Sequence, residues 1–486
     1  MKKLMLAVLF CAAATGLGAK VKLPALMGDG MVLQQRSDAN LWGWADPGKK
    51  VTVTTSWDGA SYTATAAGDG GWLVKVKTPA WGGPYTIDIR EGETVTLRNV
   101  MIGEVWVCSG QSNMQYRVRG SINQHMENTA ETVLSSGRYP QIRSFWVKSG
   151  RALEPRQDCT GEWEVSSPGC VGMFSAVAYF FARHLTDALG GVPVGIITAS
   201  YGGSRIECWM DRPTLDKLPP FKRDSIRLDN PRPQDVPTLF YYGMIAPLTN
   251  YTARGFLWYQ GESSRAHYKL YPQMQAAMVE LWREKWGDPD MPFYYVQIAP
   301  YGYKEGTPAA LFVEAQVKAQ SLIPNSGIVG TTDLGEEKCI HPGRKEPVGQ
   351  RLALLALSKT YGMSDIPPTG PIYKSVSFEK GKAIVSFDGS ATQGVGKMLM
   401  PLEGFEIAGA DRKFYPAEAC VVNRKQMVQV WSDKVPEPVA VRYAFRAFTP
   451  GANLSNHYGQ PVFPFRTDDW DDAVPARISE KTCTPR

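Results

Sequence analysis

One serine, Ser112, stands where a chain can present a nucleophile. It follows a short apolar run, residues 105–108, that is typical of a buried strand, and Gly110 and Gln111 mark a sharp turn before it. A serine on such a turn can expose its hydroxyl at the end of a sheet, next to the start of a helix. The order Gly-Gln-Ser differs from G-x-S-x-G, which argues against an α/β-hydrolase fold. Alone, this pattern more often marks a turn or cap residue.

Polar groups also follow two other strand-like runs. Gly202 and Gly203 come soon after a run that ends at Thr198, and paired glycines let the backbone approach a ligand and aim N–H groups at an oxyanion. Gln260 directly follows the run 255–259 and can donate its side-chain N–H to the same charge. In isolation, these features more often make a plain turn and a structural amide.

A general base must come from five histidines. His341 lies in a loop after the last strand-like run and before the last helical stretch, so it can reach back to the serine turn. There it can take the hydroxyl proton and return a proton to the leaving oxygen. His184 falls on an amphipathic helix, where a structural role is the better interpretation.

Elements that could bring these groups together occupy residues 101–365. Apolar strand-like runs alternate there with helical stretches; the strands are 105–108, 192–198, 255–259, 293–298 and 327–330, and the helices are 174–189, 272–286 and 348–357. This alternation predicts a parallel α/β sheet, in which functional groups gather at the carboxyl ends of the strands.

Both flanking regions are β-rich. Residues 20–100 contain short β-type runs separated by turn residues, which predicts an N-terminal β-sandwich. Residues 366–486 become β-like again after Pro367 and Pro368. They form either a second β-domain or strands that complete the first.

The first 19 residues predict a secretory signal peptide. Lys2 and Lys3 precede an apolar run, residues 4–14, and a small-residue stretch that ends at Ala19. We therefore expect cleavage near Ala19 and a secreted or periplasmic protein. The apolar run is too short to span a bilayer, and no later run approaches a transmembrane length.

Charge and cysteine spacing argue against several classes of partner. The formal net charge is +6, but the basic residues are scattered and form no stripe, so we expect no nucleic-acid binding. No C-x-x-C pair occurs, which argues against a zinc or redox site. In an oxidising compartment Cys159 and Cys170 could bridge a short loop.

Four motifs occur in a fixed order: GEVWVCSGQSNM at 103–114, GGS at 202–204, WYQGE at 258–262, and IHP at 340–342 followed by VGQRLA at 348–353. Together they resemble the sialate O-acetylesterase-like proteins of the SGNH hydrolase superfamily. The similarity extends to MVLQ at 31–34, WGWA at 42–45 and PFRTDDW at 464–470, and so to nearly the whole mature chain. It implies a flavodoxin-like SGNH hydrolase α/β/α sandwich with flanking β-sandwich regions at both ends.

The resemblance also implies roles for individual residues. Ser112 attacks an acetyl carbonyl, and His341 is the general base. The N–H groups of Ser112 and Gly203 and the side chain of Gln260 form the oxyanion hole. No metal and no cofactor are implied.

One position departs from the superfamily pattern. Members commonly carry an acid two or three residues before the histidine, where this chain has Cys339 and Lys338. The histidine is therefore oriented by another acceptor, either a backbone carbonyl or one of four acids: Glu262, Asp333, Glu336 and Glu337.

The substrate is expected to be an acetylated carbohydrate. A guanidinium suits a carboxylate, so Arg205 favours O-acetyl esters of sialic acid, although an ion pair with Glu207 explains it equally well. Gln111, Asn113 and Trp209 are the other candidates for substrate binding. The alternatives are an acetylesterase on plant polysaccharide (xylan or xyloglucan) and a non-catalytic sugar-binding protein.

Overall fold

The computed structural model describes residues 21–121, 124–218, 227–304, 308–388, 400–422 and 427–471 of the chain. The signal peptide expected over residues 1–19 lies outside the described residues. Among the residues described, no helix is both long and apolar enough to cross a membrane.

Seven strands begin the described chain: β1 (Val32–Gln34), β2 (Asp38–Trp44), β3 (Lys50–Thr55), β4 (Ser61–Thr65), β5 (Gly71–Lys77), β6 (Gly82–Glu91) and β7 (Glu93–Gly110). β3 lies between β4 and β6, β6 pairs with β7, and β2 and β5 form a separate two-stranded sheet. Alternate residues of β3 and β5 are buried, and both strands contribute to one apolar core. Two sheets that bury alternate residues against each other form a β-sandwich, as the sequence predicts.

A mainly parallel sheet forms the central region. Its further strands are β8 (Ile142–Trp146), β9 (Trp163–Val165), β10 (Val194–Ser200), β11 (Gly255–Tyr259), β12 (Phe293–Val296) and β13 (Ser326–Val329). The order is β13-β12-β11-β7-β10-β8-β9, and only the β8–β9 pair is antiparallel. Without β8 and β9, the strands follow the order 2-1-3-4-5 of flavodoxin-like sheets, which confirms the expected fold class.

β7 belongs to both regions. Its first half pairs antiparallel with β6, and its second half pairs in parallel with β10 and β11. The expected boundary between residues 100 and 101 therefore falls within one continuous strand. Glu104, which is buried in this strand, accepts hydrogen bonds from Gln34 Nε2 at 3.2 Å and from Arg254 Nε at 2.8 Å, so it links the sandwich to the central region.

Helices cover both faces of the central sheet. They are α1 (Ser112–Gln115), α2 (Thr129–Ser135), α3 (Ala176–Ala188), α4 (Arg212–Asp216), α5 (Tyr271–Trp286), α6 (Ala309–Ala319) and α7 (Glu346–Lys359). α3 and α7 pack together on one face, and α5 and α6 pack together on the other. Local sequence sets their ends: the Ser175 side chain caps α3, and Gly287, with φ of 70°, ends α5.

The C-terminal region has eight strands: β14 (Tyr373–Glu379), β15 (Lys382–Phe387), β16 (Phe405–Ala408), β17 (Phe414–Pro416), β18 (Glu418–Val422), β19 (Met427–Trp431), β20 (Ala440–Tyr443) and β21 (Phe465–Arg466). They form two four-stranded sheets, β14-β15-β19-β18 and β17-β16-β20-β21. In the part of the chain that the structure describes, none of them pairs with the N-terminal strands, and they bury a core of their own. The C-terminal strands therefore form a separate β-rich unit and do not complete the N-terminal sandwich.

The disulfide considered for Cys159 and Cys170 is not formed. Both cysteines are free. Cys170 Sγ instead donates to the backbone oxygen of Val165 at 2.8 Å.

Candidate active site

The serine turn lies at the switch point of the central sheet, where the strand order reverses. β7 has β10 on one side and β11 on the other, and ligands of open α/β sheets bind outside the carboxyl end at such a point. Gly110 ends β7 with φ of 140°, and a Cβ there would lie 2.2 Å from the Tyr259 oxygen. Only glycine therefore permits this turn. The helix α1 begins directly after it, and the half-buried Ser112 is its first residue.

Ser112 and His341 line the same open cleft, which has a volume of about 610 Å³. His341 is carried by the loop between β13 and α7, as the sequence predicts. Within the described residues, no hydrogen bond joins the Ser112 hydroxyl to the imidazole. Bonds between catalytic groups are often long in free enzymes and tighten when substrate binds. The structure thus places both predicted residues at one site, with the substrate space between them.

The partner of the imidazole is a carboxamide. Gln124 Oε1 lies 2.5 Å from His341 Nδ1. Because this oxygen can only accept, the pair requires a proton on Nδ1 and leaves the Nε2 lone pair free. Burial, and then the ammonium of Lys345, lower the pKa of His341 to about 4. The imidazole is therefore neutral, and able to accept a proton, down to mildly acidic pH.

None of the four acids proposed to orient His341 hydrogen-bonds its ring. Asp333 receives two bonds from Arg351, at 2.8 and 2.7 Å, and Glu336 Oε1 accepts from the Gly343 N–H at 2.8 Å. Glu337 is exposed, and Glu262 is bound by Asn113. The expectation of an orienting acid is corrected accordingly: a neutral amide takes that position. The sequence carried no signal for Gln124, which belongs to none of the motifs.

The glycine turn lies beside the nucleophile. A Cβ on Gly202 would be 3.6 Å from the Ser112 Cβ. The Gly202 N–H donates to Gln115 Oε1 at 2.9 Å, whereas the Gly203 N–H donates to no group in the described ranges. Gly203 has φ of 73°, a left-handed conformation that favours glycine. The first-turn N–H of Ser112 also has no acceptor within the described residues, so both groups stay predicted donors to an oxyanion.

Gln260 is fully buried and its amide is already bonded. Nε2 donates to the Ser204 oxygen at 3.0 Å and to Ser264 Oγ at 2.9 Å, and Oε1 accepts from the Tyr271 hydroxyl at 2.9 Å. Donation to an oxyanion would break one of these bonds. The oxyanion role of Gln260 stays a prediction, and this arrangement does not favour it.

Two of the substrate-binding candidates hold the fold together instead. Gln111 Oε1 accepts from the N–H of Gly261 at 3.1 Å and of Ser263 at 3.4 Å. Asn113 is fully buried, and Glu262 and Lys345 both bond to its side chain. Neither amide lines the cleft, so the prediction that they bind substrate is corrected.

The other two candidates also contact groups of the protein. The Arg205 guanidinium lies 3.1 Å from Asp235 Oδ1 and 3.9 Å from Glu207 Oε1, so the ion-pair interpretation applies. Trp209 is fully buried, and its indole N–H donates to Ser204 Oγ at 2.9 Å. The substrate role predicted for the buried Trp209 is therefore corrected, whereas that of the partly exposed Arg205 stays a prediction, which its ion pairs do not favour.

Two arginines that sequence reasoning missed line the cleft. Arg119 is exposed, and Arg117 lies over the Trp146 ring with its guanidinium carbon 4.8 Å from the ring centroid. Among the described residues neither arginine pairs with a carboxylate. Their spacing, five and seven residues after Ser112, was the available signal, since the chain immediately after a nucleophile turn stays close to it.

A serine and a histidine that share a cleft at the switch point of a flavodoxin-like sheet are the groups that nucleophilic hydrolysis of an ester requires. Residues 102–358 match the family model described as "Carbohydrate esterase, sialic acid-specific acetylesterase", and the chain belongs to that family. It is 27% identical to sialate O-acetylesterase of Mus musculus, over 85% of this chain and 87% of the mouse protein. It is likewise 27% identical to the Homo sapiens protein of that name, over 90% of each chain.

A solved structure supports the same assignment. The crystal structure of a carbohydrate acetylesterase from Xanthomonas citri superposes with a TM-score of 0.83 at 36% identity, covering 93% of this chain and 100% of that one. The protein is therefore a hydrolase of acetyl esters, a carbohydrate O-acetylesterase.

Proposed function

We propose that this carbohydrate O-acetylesterase is a secreted or periplasmic enzyme that removes acetyl groups from sialic acid through a serine acyl-enzyme. The observation that carries the mechanism is the shared cleft of Ser112 and His341. The low pKa of His341 supports it, because a general base must be unprotonated to act.

The first half of the reaction forms the acyl-enzyme. Ser112 Oγ attacks the acetyl carbonyl carbon while its proton passes to His341 Nε2. The carbonyl oxygen becomes an oxyanion, which accepts hydrogen bonds from the N–H groups of Ser112 and Gly203. The bond to the sugar oxygen then breaks, and the leaving oxygen takes the proton from His341.

The second half releases acetate. A water molecule gives a proton to His341 Nε2 and attacks the acyl carbon, forming a second tetrahedral oxyanion at the same two donors. Collapse of this species breaks the ester bond to Ser112, and the serine oxygen recovers the proton. Acetate and the free sugar hydroxyl are the products.

The arginines of the cleft support an acidic sugar. Arg117 and Arg119 line the same cleft as Ser112, and guanidinium binds carboxylate through charge-assisted hydrogen bonds. A sialic acid carries such a carboxylate, whereas xylan and xyloglucan backbones do not. The cleft therefore favours the sialate substrate over the plant polysaccharides.

A substrate panel tests this preference. Acetate release is measured with O-acetylated sialic acid, with its carboxyl methyl ester, and with acetylated xylan and xyloglucan. Arg119→Gln should lower kcat/KM for the free acid about tenfold and leave the methyl ester nearly unchanged. Arg138→Gln, an exposed arginine outside the cleft, is the control. Faster turnover of the polysaccharides than of the sialate would overturn the preference.

Secretion is tested separately. The full chain is expressed in a Gram-negative host, and the protein is recovered from the periplasm and the medium. Its N-terminus should begin near Lys20. A protein that stays in the cytoplasm with residues 1–19 intact would contradict the signal peptide.

A further inference from the structure

Three buried polar side chains form a chain beneath the serine turn. Lys345, Asn113 and Glu262 are exposed by 1%, 0% and 5%. Lys345 Nζ donates to Asn113 Oδ1 at 2.6 Å, and Asn113 Nδ2 donates to Glu262 Oε1 at 2.6 Å. Burying two ionisable groups costs several kcal/mol per ion unless hydrogen bonds compensate. None of the three lines the cleft, so substrate contact does not explain them.

This chain of bonds joins the loops that carry the nucleophile and the base. Asn113 directly follows Ser112, and its Nδ2 also donates at 3.1 Å to the oxygen of Ile340, which directly precedes His341. An ammonium only donates and a carboxylate only accepts, so the two charges fix which way the Asn113 amide points. The amide therefore sets the separation of the serine turn and the histidine loop.

The Lys345 ammonium is buried, and its charge depends on pH. Burial lowers the pKa of Lys345 to about 7, against the opposing effects of Glu262, Cys339 and Glu336. The aromatic rings of Tyr116 and Tyr259 also face the ammonium, with centroids at 4.8 and 5.9 Å. Lys345 is therefore cationic below neutral pH, the range in which a histidine would otherwise become protonated.

Few of the groups that the structure describes face the imidazole. Gln124 Oε1 lies 2.5 Å from His341 Nδ1, and the ring centroids of Tyr116 and His341 are 6.2 Å apart. Cys339 Sγ donates to the His341 backbone oxygen at 3.2 Å. The side chains of Arg117 and Arg119 line the same cleft. Of the cations around it, Lys345 is the one whose charge lowers the pKa of His341, after burial.

We infer that Lys345 is a positioning residue of the esterase: through Asn113 it holds the serine turn against the histidine loop. This inference rests on the proposed roles of Ser112 and His341. Because the ammonium of Lys345 also lowers the pKa of His341, after burial, its removal should change the pH profile as well as the rate.

The test compares charge-removing and charge-keeping variants by their pH profiles. Acetate release is measured from pH 3.5 to 9 for the wild type, Lys345→Met and Lys345→Arg. The midpoint of the acid limb of kcat/KM should lie near pH 4 in the wild type. In Lys345→Met this midpoint should shift upward by about one pH unit. Relative activity at pH 5 then falls about twofold, while Lys345→Arg keeps the wild-type limb.

A second variant separates positioning from folding. Lys345→Met leaves Glu262 buried without its cation, so the double variant Lys345→Met/Glu262→Gln, which buries no charge, is compared by thermal unfolding and by its pH profile. The limb should rise in the double variant also. A folded double variant with wild-type kcat at neutral pH would overturn the positioning role, and an unmoved acid limb would overturn the effect of the Lys345 charge on His341. Ser112→Ala is assayed in parallel, and persistent turnover there would instead refute the proposed mechanism.

Discussion

The two sides of the serine turn differ in what their polar groups contact. Beneath the turn, Gln111, Asn113 and Gln260 are buried and bond to groups of the protein. On the open side, Ser112 and His341 are partly exposed, and two arginines reach the cleft. Most polar motif residues therefore fix geometry, while residues between the motifs also shape the substrate space. The two sides should respond differently to mutation.

Ser112→Ala should have the largest effect. Removing the attacking oxygen should lower kcat for acetate release by about 10⁴-fold or more, as in other serine hydrolases, with no loss of stability. Ser121→Ala, which removes a hydroxyl from the same cleft, is the matched control and should retain activity. Acetate release that persists in Ser112→Ala would refute the assignment of Ser112 as the nucleophile.

Asn113→Ala tests the buried side. The change leaves Lys345 and Glu262 without their shared partner, so the free energy of unfolding should fall by about 3 kcal/mol, and kcat should fall as well. Urea unfolding measures the first effect and acetate release the second. Arg119→Gln, on the open side, should lose activity without losing stability. Equal stability of the two variants would remove the distinction between the sides.

Gln124→Glu sharpens the description of the open side. A carboxylate beside Nδ1 stabilises the imidazolium, so it should raise the pKa of His341 from about 4 and move the acid limb of kcat/KM upward by about one unit or more. Gln124→Leu, which cannot accept the Nδ1 proton, should lower kcat by about tenfold without that shift. An unmoved limb in Gln124→Glu would show that this side chain does not bond the base in solution.

Arg205→Ala should have the smallest effect. Its guanidinium is already paired with Asp235 and Glu207, so kcat/KM for acetylated sialic acid should change by less than about threefold. The measurement uses the same assay as Arg119→Gln. A larger loss for Arg205→Ala than for Arg119→Gln would indicate that Arg205 binds the substrate carboxylate, as first expected from the sequence.

Much of the fold could be predicted, because periodicity is a local property. Alternating apolar runs gave the sandwich, and strand–helix alternation gave the parallel sheet with His341 after its last strand. Strand pairing in the C-terminal region could not be predicted in the same way. β16 and β20 pair across more than thirty residues, Phe405 with Tyr443, and no local pattern selects that partner.

The site was predicted in part for a related reason. Ser112 and Gly203 were found because strand ends and paired glycines leave a mark in the sequence. Gln124 was missed because its partner is 217 residues away and its loop has no periodicity. The two interpretations of Arg205 could not be separated because the sequence does not say which acid an arginine will meet. The amide of Asn113 likewise suits a buried bond as well as a substrate.

The long strand β7 makes the N-terminal region inseparable from the enzyme. Its eighteen residues span about 60 Å, and the serine follows its last residue. A shortened protein that began at residue 101 would lose the antiparallel partner of β7 and the Gln34 bond to Glu104. It would also expose unpaired strand edges, which promote aggregation. The smallest part of the chain that can be moved intact into another protein is thus the sandwich together with the central sheet.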